Sequence, residues 1–180
     1  MKLEIVKYGR RVLREQTHEV LEVTPELQQL VADMLETMYA AHGLGLAAPQ
    51  VGRLERLCVI DIPEEAEKPL CRPFNSTVAM PLVMFNPRIL AASGVQNDTE
   101  GCLSFPEIYG PVRRALEVTV QYQDAQFVAQ TITVRGLLAR AVQHEVEHLD
   151  GKVFIEHLSR LSLLGLKGKL RRLEKANRDE

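Results

Sequence analysis

From Leu116 the residues alternate, with Leu116, Val118, Val120 and Tyr122 on one side and Glu117, Thr119 and Gln121 on the other. A period of two sends successive side chains to opposite faces of a strand, so this stretch has one apolar and one wet face. After Asp124-Ala125-Gln126 the pattern resumes in FVAQTITVRG, with Val128, Ile132 and Val134 on one side. The pair reads as an antiparallel hairpin whose apolar face needs a cover. The cover follows at once: Leu137 to Leu149 is helical, and Gly151 stands where a C-terminal glycine cap belongs. Strands first and helices packed on them make an α+β fold.

Upstream, TPELQQLVADMLETMYAAHG reads as a helix. Thr24 suits its N-cap and Pro25 its first position. Leu27, Leu30, Val31, Met34 and Met38 form one apolar stripe, and Gly43 is expected to end the helix in a left-handed conformation. GLGLAAPQVG, Gly43 to Gly52, is too rich in Gly and Pro for an element interior. LCVIDI, Leu57 to Ile62, reads as a strand, and LVMFNP as another that stops at its proline. Residues 63–81, with four prolines, read as a surface excursion. The last stretch, from about residue 160 to 180, gives an amphipathic helix and tail carrying Leu163, Leu166, Leu170 and Leu173. No repeat or second domain shows, so residues 1–180 are expected to form one domain.

The net charge of −2 argues against a general DNA binder. No run of 18 apolar residues exists, so no membrane span is expected, and the N-terminus lacks the apolar core of a secretory signal. Three cysteines are an odd count in a chain of 180 residues, which fits a reducing cytoplasm. The cytoplasm is the economical reading, with an organellar protein that has lost its transit peptide as the alternative.

QHEVEHLDG, Gln143 to Gly151, holds the chemistry. On a helix, His144 and His148 stand one above the other with Cβ atoms ~5–6 Å apart, close enough to share one ion. Glu145 shares the rim without being forced onto the metal, where a base for water belongs. The competing reading is a pair of solvated histidines beside ordinary surface charges. A hydrolytic metal wants a third protein ligand and one open position. Glu156 and His157 are candidates downstream; upstream, Cys102 in TEGCLSFPE offers a thiolate, although a lone cysteine is more often a small buried hydrophobe.

GLGLAAPQVG, EGCLSFP and QHEVEHLDG, in this order, resemble the three signature segments of peptide deformylases, a likeness running from the N-terminal helix through residue 160. The resemblance implies antiparallel or mixed sheets packed around a central helix carrying the H-E-x-x-H motif, with an N-terminal helix and a C-terminal amphipathic helix. It implies hydrolysis of the formyl group from the N-terminal formyl-methionine of nascent chains, releasing formate. It further implies one divalent metal held by Cys102, His144 and His148, ferrous iron in the native enzyme, with zinc, nickel or cobalt able to substitute. By the same likeness Glu145 is the base, and Gln50 and the Leu103 backbone N–H face the oxyanion. Gly45 holds the substrate backbone, and Leu44 lines the methionine pocket. Members with a C-terminal helix dock it on the ribosome, for which Lys167, Lys169, Arg171, Arg172, Lys175 and Arg178 suit RNA phosphates.

This chain departs from the family in three places. Glu147 stands where aspartate is usual, with a carboxylate still expected to orient an imidazole. Tyr109 replaces an arginine near the substrate groove, and the 63–81 excursion is long. Two other functions compete: a zinc endopeptidase ligated by Glu156 or His157, and a non-catalytic protein with a closed, structural metal.

Overall fold

The alternation at Leu116–Tyr122 forms a strand whose buried residues are Val118, Val120 and Tyr122, all on one face. The structure, a computed structural model, describes residues 1–178; the last two residues of the expected tail lie outside them. Among the described residues seven strands are present: β1 (Gly45–Ala47), β2 (Leu57–Ile60), β3 (Leu82–Ser93), β4 (Gln96–Cys102), β5 (Phe105–Arg114), β6 (Glu117–Gln123) and β7 (Ala129–Arg135). The helices are α1 (Pro25–Ala40), the one-turn α2 (Arg72–Asn75), α3 (Gly136–Leu149) and α4 (Arg160–Asn177). β1-β2-β3-β6-β7 make one antiparallel sheet in that order, and β4-β5 a second of two strands.

The first sheet lies between two helices. On one face Cys58 and Ile60 of β2, Leu82 and Met84 of β3, and Val118 and Val120 of β6 pack on Leu138, Ala139, Val142 and Leu149 of α3. On the other face Leu57, Val59, Val83 and Phe85 meet Leu27, Leu30, Met34 and Met38 of α1. This double cover explains why LCVIDI is apolar without alternation: both faces of β2 are buried. Each such side chain, fully buried, contributes roughly 1.5–3 kcal/mol. A third cluster joins Phe105, Ile108 and Val112 of β5 to Phe154, Ile155 and the inner leucines of α4.

Thr24 caps α1 through its side chain, which accepts from the Leu27 N–H at 3.3 Å. The helix ends differently from expectation. His42, not Gly43, takes the left-handed conformation, φ 55°. The His42 N–H donates to Tyr39 and the Gly43 N–H to Met38, closing a Schellman turn. Gly43 itself packs close to Leu103, whose Cδ1 would lie 2.7 Å from a Cβ there. At the end of α3 the same turn forms with Gly151 at φ 71°, as expected.

Three further expectations are corrected. β3 runs through Pro87, which sits in a register shift between Phe85 and Arg88 where no ladder bond is asked of it. TEGCLSFPE, to which sequence periodicity assigns no element, carries the end of β4 and the start of β5, and Cys102 closes β4. GLGLAAPQVG includes a short strand, β1, followed by a 3-10 turn, Ala48–Val51. The 63–81 excursion also reaches inward. Glu67 is buried, and its carboxylate accepts from the Leu137 and Leu138 N–H groups at 2.9 and 3.0 Å, capping α3, whose own N-cap residue makes no side-chain bond.

Candidate metal centre and its cleft

α3 presents His144 and His148 on one buried face, their ring centroids 4.9 Å apart. Opposite them β4 ends at a register shift between Gly101 and Cys102, which turns the Cys102 sulfur towards the helix. Cys102 Sγ lies 3.2 Å from His148 Nε2, and the ligand atoms of Cys102, His144 and His148 all fall within 4.8 Å of one another. A tetrahedral ion with metal–sulfur and metal–nitrogen bonds of ~2.3 and ~2.05 Å would space such atoms by about 3.3–3.6 Å. The donor set therefore fits one first-row divalent ion. Burial disfavours a charged imidazole at both rings. At His148 it holds the pKa well below the usual value; at His144 the Cys102 sulfur and Glu100 outweigh it and the pKa rises.

Glu156 and His157 do not join this group. Glu156 pairs with Arg14, and His157 meets Glu147 at 2.9 Å. Glu147 does not orient a metal-site imidazole, contrary to expectation: it leaves α3 on another side and pairs with Arg114 at 2.6 Å. The carboxylate that faces His144 is Glu100, whose Oε2 lies 3.1 Å from His144 Nδ1. Glu100 also accepts from Arg114 Nε at 2.8 Å and Arg140 Nη1 at 2.7 Å. Burial alone would raise the Glu100 pKa, but His144 and Arg114 overcome it and hold the carboxyl well below the usual range. Glu100 precedes Cys102 by two residues on β4, and only the pairing of that strand brings it to the ring. Gln143 holds α3 to the β5–β6 corner by bonding both the N–H and the carbonyl of Ala115.

In front of the cluster opens a cleft of about 650 Å³. Its wall brings Leu44, Gly45, Gln50, Cys102, Leu103, His144 and Glu145 together. Glu145 is buried directly against Gly45, where a Cβ would collide with its carboxylate. Glycine is needed there for space. The Glu145 Oε2 is buried without a donor among the described residues, and burial pushes the carboxyl up to about 7. Gln50, buried in the 3-10 turn, accepts the Ala47 N–H at its Oε1 and points its Nε2 at Cys102 Sγ, 3.4 Å, and Ser104 Oγ, 3.3 Å. Tyr109 forms part of the rim, 62% exposed, with its ring flat against Gly101.

A family model described as polypeptide deformylase matches residues 2–163. A peptide deformylase of Endomicrobium trichonymphae is 41% identical over 175 residues, covering 97% of each chain. One of Roseiflexus castenholzii is 47% identical over 161 residues, 86% of this chain and 85% of the relative. The crystal structure of peptide deformylase from Ehrlichia chaffeensis superposes with a TM-score of 0.85 at 34% identity, covering 98% of both chains. Sequence, fold and the α+β arrangement around α3 agree, and the chain belongs to the polypeptide deformylase family of enzymes.

Proposed function

We propose that this chain removes the formyl group from the N-terminal formyl-methionine of newly made polypeptides, releasing formate, with one divalent metal held by Cys102, His144 and His148. The observation that carries the reading is the convergence of those three ligand atoms beside a buried, unpartnered carboxylate in one open cleft. When bound, a divalent cation supplies Lewis acidity, which acidifies water and draws electrons from a carbonyl oxygen. Ferrous iron is the native ion in this reading, with zinc, nickel or cobalt able to replace it.

The chain's own residues do the rest. The peptide enters the cleft with its backbone along Gly45, and Leu44 lines the pocket for the methionine side chain. Glu145 takes a proton from the attacking water and returns it to the departing nitrogen as the carbon–nitrogen bond breaks. The formyl oxygen gains charge as its carbon becomes tetrahedral. The Gln50 amide and the Leu103 N–H face that oxygen, each such donor worth ~3 kcal/mol in the transition state. Behind the cluster, Glu100 fixes the orientation of the His144 ring.

We read residues 1–180 as a single catalytic domain working in the cytoplasm or an organelle. Among the described residues no helix is long and apolar enough to cross a membrane. α4 turns Leu163, Leu166, Leu170 and Leu173 towards the third core cluster and leaves Lys167, Lys169, Arg171, Arg172, Lys175 and Arg178 exposed. That face suits transient docking on ribosomal RNA phosphates.

Anaerobically purified protein is expected to release formate from formyl-Met-Ala-Ser, with close to one iron per chain by metal analysis. The same sample should sediment with ribosomes in a salt-sensitive manner. Formate release by no metal form would end the enzymatic reading; cleavage of internal peptide bonds would favour the endopeptidase.

A further inference from the structure

The segment Val6–Tyr8 has no part in the reaction described above, yet it touches both groups aimed at the oxyanion. The Val6 N–H donates to the Gln50 carbonyl at 2.8 Å, and the Tyr8 N–H to the Ser104 carbonyl at 2.9 Å. Between them the Lys7 ammonium donates to the Leu103 carbonyl at 2.8 Å. Consecutive residues thus tether two loops that are distant in sequence and that each supply one donor. The loops also meet directly where Gln50 Nε2 reaches Ser104 Oγ at 3.3 Å and Cys102 Sγ at 3.4 Å.

The segment is itself held from the far side. Tyr8 stacks on Phe105 with ring centroids 4.7 Å apart. Gly9, at φ 119°, runs so close to α4 that a Cβ would fall 2.6 Å from the Glu174 carbonyl oxygen. Lys7 is half-buried in the cleft wall, where its ammonium fixes the carbonyl immediately after the Leu103 N–H in the chain. Tyr8 fixes the next carbonyl. Donor geometry of this kind must be right to a few tenths of an ångström, and a misplacement of ~1 Å can cost about a hundredfold in rate.

We propose that Lys7 is a positioning residue for the oxyanion donors: through the Leu103 carbonyl, and with the Val6 and Tyr8 N–H groups on either side, it locks the Leu103 and Gln50 loops in register. The proposal rests on the assignment of Gln50 and Leu103 to the oxyanion.

The test is steady-state kinetics on formyl-Met-Ala-Ser with metal-loaded Lys7→Met, Lys7→Arg and Gln50→Ala, together with amide hydrogen exchange across residues 100–105. Lys7→Met should lower kcat roughly tenfold, leave KM within about twofold and keep the metal, while amide exchange at Leu103 and Ser104 quickens. Lys7→Arg, which keeps the donor, should recover most of kcat. An unchanged kcat in Lys7→Met, a loss carried by KM, or a loss of metal would each overturn the positioning role. Gln50→Ala separates the two layers. If it lowers kcat and Lys7→Met does not, only the Lys7 inference falls; if Gln50→Ala keeps full kcat, the oxyanion assignment falls and takes this inference with it.

Discussion

The two sides of the Cys102–His144–His148 cluster are built on opposite principles. Behind it, the buried Glu100, Arg114 and Arg140 and the half-buried Glu147 form a network in which each charge faces an opposite one at 2.6 to 3.0 Å. In front, Glu145 is equally buried but lies against a glycine backbone with one oxygen unpartnered. A network of paired charges fixes ring orientation, even though Arg140 Nη2 and Glu147 Oε2 find no partner among the described residues. An unsatisfied carboxylate costs stability and stays available for chemistry. In the proposed reaction Glu145 is such a group, so the contrast to test is between charges that are paired behind the cluster and a carboxylate that faces no cation in front of it.

The comparison is broken most directly at Glu145. Glu145→Ala should lower kcat by about 10²–10⁴-fold, the range for loss of a general acid–base group. Metal content should stay unchanged, and the melting temperature should hold or rise, since an unpaired buried carboxylate is removed. A variant that melts lower than the parent would show that Glu145 stabilises the fold, and the contrast between the two sides would collapse.

Glu100→Ala should do the reverse. It strands Arg140 as a buried cation and leaves Arg114 with Glu147 alone, and breaking a buried pair of this kind costs ~3–5 kcal/mol. It also frees the His144 ring, for which a 10–100-fold weaker metal affinity is expected. Chelator competition and thermal melts read both effects. At saturating metal the kcat of Glu100→Ala should lie far nearer the parent than that of Glu145→Ala. If Glu100→Ala holds metal as tightly as the parent, Glu100 does not orient the ligand.

Legibility in the sequence followed the range of the forces. α1, α3 and the β6–β7 hairpin were readable because their periodicity and caps are local: Thr24 and Gly151 act within a turn of their own helix. The signature segments likewise brought Cys102, His144 and Glu145 into one reading. β4 and β5 were missed because GCLSFPEIYGP is punctuated by Gly and Pro, and only the pairing of Gln96–Cys102 with the next strand gives it order. Propensity assigns the left-handed end of α1 to Gly43, but His42 takes it one residue earlier and the Gly43 N–H closes the turn on Met38. The family likeness points to Glu147, between the histidines in sequence, as the carboxylate that orients an imidazole. On a helix that position points elsewhere, whereas Glu100 reaches the ring from a strand 44 residues away. Lys7 shows the same limit, since nothing in MKLEIVKYGR marks one lysine as the partner of Leu103.

The smallest expected effect lies at neither side of the cluster but at the start of the helix that carries both. Glu67 reaches in from the excursion to accept the Leu137 and Leu138 N–H groups, and Asn75 reinforces it by bonding Glu67 and the Arg135 carbonyl. A carboxylate at a helix N-terminus satisfies orphan donors and complements the helix dipole. Removing a cap costs ~0.5–2 kcal/mol, which for a chain of this size lowers the melting temperature by roughly 2–8 °C. Glu67→Ala should therefore melt lower while kcat and metal affinity stay close to the parent, because His144, Glu145 and His148 lie two turns and more from the cap and are held by the sheet and by Glu100. A large fall in kcat with an unchanged melt would mean that the cap, rather than the network behind the cluster, sets the register of α3, and the two sides could no longer be treated as independent.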